Sequence, residues 1–106
     1  MDDKEFQTQA DEAIDDLYQR LVRAVEVHDF EVDFNNGALA VEFEDPPAKF
    51  IVSPNSPVKQ IWVSAHSKSF KFDWDSARRA FVLDGQTLAQ MMAGAVTKQL
   101  GEPVAL

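Results

Sequence analysis

The stretch DFEVDFNNGALAVEFE, residues 29–44, decides the fold. Phe30, Val32 and Phe34 alternate with Asp29, Glu31 and Asp33, the period of two that marks a half-buried strand, here with three acids outward. Asn35-Asn36-Gly37 then supplies residues that accept positive φ, and Leu39, Val41 and Phe43 alternate with Ala40, Glu42 and Glu44. The two runs predict a β-hairpin with one apolar face and one acidic face. An apolar sheet face needs a second layer to cover it, and the flanking sequence provides one.

Upstream, Phe6, Ala10, Ile14, Leu17 and Leu21 recur at spacings of 4, 4, 3 and 4, the stripe of an amphipathic helix. Asp2 and Asp3 suit its N-terminus as caps and as charges near the positive end of the helix dipole. At about 100° per residue, Glu5, Glu12 and Asp16 fall on nearly one line opposite the stripe, with Asp11 and Asp15 on its flank. Arg20, one turn beyond Asp16, is the local compensation, and the remaining repulsion costs the helix some stability.

Downstream, Asp45-Pro46-Pro47 predicts a turn, Phe50 to Val52 a short strand, and Ser53 to Pro57 a break, because each proline removes a ladder donor. Val58 to Ala65 reads as the central strand, with Ile61, Val63 and Ala65 facing one way and Gln60, Trp62 and Ser64 the other. Phe70 and Phe72 flank Lys71 in a further alternation, Asp73 to Arg79 reads as a charged loop, and Phe81 to Leu83 as a last strand closed by Asp84-Gly85. Thr87 and Gln90 have capping-box spacing before Leu88, Met91, Met92, Ala95, Val96 and Leu100, and Gly101 stops that second helix. The expectation is one α+β domain over residues 1–106, a two-layer sandwich. Its N- and C-terminal helices pack on one face of a five- to six-stranded antiparallel sheet whose other face stays open.

The net charge of −8 is unevenly placed. Residues 1–45 hold fourteen acids against three bases, a net of −11, and residues 46–106 hold four acids against seven bases, a net of +3. An acidic half of that size disfavours nucleic acid, which needs a basic footprint, and favours cations or a basic protein surface as partner; the alternative is a solvated face that serves solubility alone. No run approaches the roughly 18 apolar residues of a membrane span, and the acidic first twenty residues lack a secretory signal pattern, so a cytoplasmic protein is expected. With no Cys there is no thiolate ligand or nucleophile, and any metal must be held by oxygen or His nitrogen.

No nucleophile elbow, phosphate loop or H-E-x-x-H pair occurs, and His28 and His66 stand 38 residues apart without ligand spacing, so catalysis is not expected. The clustered carboxylates are hard oxygen ligands able to take weakly held cations without a cage. Glu12, Asp15 and Asp16 can reach one another on the helix, and Asp29, Glu31 and Asp33 project from one strand face. Trp62, set between Gln60 and Ser64 on the open face, reads as a protein contact; the alternative is a ring packed under a loop or against Phe72 on a neighbouring strand.

The segment Pro57-Val58-Lys59-Gln60-Ile61-Trp62-Val63-Ser64-Ala65 resembles that of the bacterial frataxins of the CyaY type. So do the preceding hairpin, the acidic helix opening Asp3-x-Glu5-Phe6, the Phe70-Lys71-Phe72-Asp73 strand and the closing Gln99-Leu100-Gly101-Glu102-Pro103-Val104. The resemblance covers nearly the whole chain. It implies a helix-on-sheet sandwich that binds ferrous and ferric iron weakly on an acidic ridge and regulates iron-sulfur cluster assembly by docking on a cysteine desulfurase and its scaffold protein. Carried over residue by residue, the iron-binding ridge falls on Asp3, Asp11, Glu12, Asp15 and Asp16 of the helix and Asp29, Glu31 and Asp33 of the strand, and Gln60 and Trp62 join the partner surface. Where such ridges continue along the helix this chain has Tyr18, Gln19, Val22 and Arg23, so iron sites there do not transfer. A monomer that iron could drive to oligomerise is expected, without a membrane or nucleic-acid partner. The alternative function is a ferroxidase or iron-storage assembly.

Overall fold

Asn36 (φ 54°) and Gly37 (φ 78°) both adopt the left-handed conformation, so the hairpin closes as a two-residue turn with Asn35 opposite Ala38. The computed structural model describes residues 1–106, beginning with helix α1 (Asp3–Val25). Strands β1 (Glu31–Asn35), β2 (Ala38–Glu44), β3 (Pro47–Asn55), β4 (Gln60–Ala65), β5 (Lys68–Asp75), β6 (Ala80–Leu83) and β7 (Gln86–Thr87) follow, and helix α2 (Leu88–Leu100) ends the fold. The seven strands pair in sequence order into one sheet, and every pairing is antiparallel. This is the expected α+β sandwich, with one strand more than the upper expectation.

The two layers meet over an entirely apolar core: 21 residues are buried and none is polar or charged. The α1 stripe Phe6, Ala10, Ile14, Leu17 and Leu21 is buried, as are Leu88, Met92 and Val96 of α2. Ile61, Val63 and Ala65 of β4 lie beneath them, as the alternation requires. Phe6 meets Phe81 edge-on at 5.8 Å, tying the start of α1 to β6, and Phe43 joins Phe30 (5.5 Å) to Phe50 (4.9 Å) at the other end. Each helix is capped by its own sequence. The Asp2 carboxylate accepts from the Glu5 amide at 2.7 Å, and Thr87 and Gln90 exchange side-chain and backbone bonds at 3.3 and 2.9 Å.

The structure differs from the sequence expectation in four places. Asp29 precedes β1 in the bend after α1, so the strand carries two of the three acids assigned to it. β3 does not break at Ser53 but runs to Asn55 through Pro54. The ladder with β2 ends at Val52, so Pro54 has a neighbour on one side only, where proline is tolerated. The central strand begins at Gln60 because Ser56–Val58 form a single 3-10 turn closed by Lys59 at φ 53°. Asp73, Trp74 and Asp75 belong to β5, since Trp74 turns inward opposite Phe81 at 5.1 Å between two outward acids.

Candidate functional site

The acids of α1 divide by helical phase. Glu12 and Asp16 border a groove on one side of the helix, together with Arg20, Trp74 and Arg79. Asp11 and Asp15 share the opposite flank with Tyr18 and Val22, about 100° round the axis. Tyr18 there stacks at a tilt on Phe34 of β1, 5.6 Å between centroids, and Val22 lines a second groove with Glu31, Val32 and Asp33. Asp3 stands about 12 Å along the axis from Asp11 and pairs with Lys59 at 3.1 Å, so it is not gathered with the others.

Every one of the eight expected ridge acids is exposed. Three have partners: Asp3 with Lys59, Asp11 with the Gln7 amide at 2.7 Å, and Asp16 with Arg20 at 2.8 Å. Glu12, Asp15, Asp29, Glu31 and Asp33 have none among the hydrogen bonds and ion pairs of the chain. On the open sheet face Glu31 stands opposite Glu42, and Glu42 opposite Lys49, whose Nζ reaches it at 3.5 Å. Like charges directly across a ladder are unfavourable, so the Glu31–Glu42 pair favours a cation above it. Glu42 was absent from the expected ridge; the hairpin register, which follows from the two-residue turn, is the signal that places it there.

No three Asp, Glu or His side chains converge into a group able to enclose a metal ion. What α1 and β1 present is a dispersed field of hard oxygen donors. Such donors fit a cation that keeps most of its water and exchanges readily, and they do not form a closed coordination sphere. Neither histidine adds to the field. His28 Nδ1 is bound to Glu102 Oε2 at 2.6 Å, holding the C-terminal segment to the end of α1. The His66 ring packs edge-on to Phe50 at 4.9 Å, and its Nε2 is buried without a hydrogen-bond partner.

The second expected surface is built by β4 and β5. Trp62 is 36% exposed on the open face, while Phe72 is buried on the other, so the two rings do not meet. Register places Lys71 opposite Trp62 and Asp73 opposite Gln60. Lys71 Nζ lies 4.9 Å from the indole centroid, the indole N–H donates to Gln60 Oε1 at 2.9 Å, and Gln60 Nε2 donates to Asp73 Oδ1 at 2.9 Å. Gln60 and Trp62 are thus held in one hydrogen-bonded arrangement facing solvent. Lys71 and Asp73 complete it, and the cross-strand register is what reveals them.

Residues 1–102 match the family model described as a frataxin-like domain. The chain is 37% identical to the iron-sulfur cluster assembly protein CyaY of Azotobacter vinelandii, over 86% of this chain and 86% of that protein. It is 35% identical to the CyaY protein of Dechloromonas aromatica, over 100% and 99% of the two chains. Among solved structures, the frataxin from Psychromonas ingrahamii superposes with a TM-score of 0.75 at 26% identity, covering 99% of this chain and 97% of that one.

Proposed function

The chain belongs to the frataxin-like family, and on that premise we propose that it serves iron-sulfur cluster assembly as a non-enzymatic, iron-binding regulator. Its acidic surface holds ferrous or ferric iron weakly and engages a basic patch of a cysteine desulfurase, and Gln60 and Trp62 contribute to the contact with the desulfurase and its scaffold. The observation that carries this reading is the set of five exposed carboxylates on and beside α1 and β1 that the chain leaves without partners. Exposed, mutually repelling acids are stabilised by any cation placed over them, and solvent screening keeps each such contact weak. Iron here is cargo or signal, exchanged at the surface and not retained. The companion names support the assembly role, since the CyaY relatives carry it in theirs.

The test is a binding assay of the purified chain against desulfurase, with and without scaffold and ferrous iron. Reversing Asp15, Asp16, Glu31 and Asp33 together to Lys is expected to weaken desulfurase binding at least tenfold while leaving the melting curve cooperative. Unchanged affinity would remove the acidic surface from the interface. Oxygen consumption during iron loading separates this reading from a ferroxidase: uptake should match a protein-free control.

A further inference from the structure

The outer edge of β1 is a row of backbone donors and acceptors with no partner in the chain. β1 pairs only with β2, none of the six backbone bonds outside helices and strands involves residues 31–35, and no side chain bonds to them. The sheet's other edge, β7, is two residues long and runs directly into α2. β1 also lacks the usual edge protection of proline, lysine or a bulge. Beside it, Val22 and Val25 of α1 and Val32 of β1 form an apolar groove rimmed by Glu31, Asp33 and Glu42. Phe34, two residues beyond Val32 on the same side of the strand and 40% exposed, adds apolar surface at the end of β1.

We propose that this edge docks an extended segment of a partner protein by strand addition, and that the segment carries Lys or Arg at alternate positions with apolar residues between them. The pleat dictates the pattern. In a strand laid along β1, residues level with Glu31 and Asp33 emerge on the open face against three carboxylates, and those level with Val32 and Phe34 point into the valine groove. A second copy of this chain is disfavoured as occupant, because β1 against β1 would bring Glu31 and Asp33 against their own kind. The acids thus act as a filter that repels self-pairing and admits a basic strand. The proposal rests on the reading that the acidic half receives a basic partner, and it specifies the backbone mode by which one part of that surface does so.

The probe is a capped Lys-Val-Lys-Val-Lys peptide, titrated into the isotopically labelled full chain and followed by NMR. Amide shifts are expected to concentrate on residues 31–35, Val22 and Val25, with new protection of β1 amides from solvent exchange. Two further peptides carry N-methyl groups on one or the other set of alternate amides, since only one set can face β1. Strand addition predicts that one frame binds at least tenfold more weakly than the parent and the other within about twofold of it. Equal affinities of the two frames, or shifts centred on Asp11 to Asp16, overturn strand addition. If the frames bind alike but salt weakens them, the acidic surface remains a receptor for basic partners and only the backbone mode is lost.

Discussion

Ile61 and Trp62 are consecutive in β4, yet the pleat sends one into the core and the other to solvent. Their deletions should therefore read out different properties. Ile61→Ala removes a fully buried side chain and should cost about 2–5 kcal/mol, a large share of the roughly 5–15 kcal/mol that holds a domain folded. Trp62→Ala removes an exposed ring with one Lys71 contact and one hydrogen bond, and should cost about 1 kcal/mol or less. Urea unfolding of the two variants checks the contrast. The Trp62 variant should weaken scaffold or desulfurase binding far more than its stability change explains.

On α1 the conflict between stability and use is concentrated at Asp15, which follows Glu12 by three residues and Asp11 by four. Both spacings bring like charges together, at a cost of about 0.2–0.5 kcal/mol per pair. Asp15→Asn should therefore stabilise the domain by a few tenths of a kcal/mol in low salt while weakening cation binding, checked by paired melting and ferrous iron titrations. A variant that loses both stability and iron binding would show that Asp15 makes a structural contact instead. The hairpin and both helices were legible because their signals are local: positive-φ residues at the turn, a 3.6-residue stripe, a capping box. The missed features depend on neighbours in space. Pro54 is tolerated only because β2 ends short of it, and Trp74 reads as part of a charged loop until Phe81 stands opposite. The division of Glu12 and Asp16 from Asp11 and Asp15 likewise depends on which neighbours flank α1, although the helical phase already separated them.

At the scale of the molecule, the fold joins a core whose fully buried residues are all apolar to a surface whose net charge is −8. Only three Lys or Arg ion pairs offset that self-repulsion, each with at least one exposed member and each worth about 1 kcal/mol or less. Screening should therefore help more than it harms. Raising NaCl from about 20 to about 200 mM is expected to raise the melting temperature by a few degrees, as scanning calorimetry would show. A fall would mean that the ion pairs outweigh the repulsion. Whether the carboxylates on and beside α1 and β1 form the cation-receiving surface is decided by an anaerobic NMR titration of the full chain with ferrous iron. Broadening should be confined to Asp11 to Asp16 and Asp29 to Asp33 with Glu42, should not saturate at one equivalent, and should be reversed by added salt. Broadening elsewhere, or a single tight stoichiometric site, would contradict that assignment.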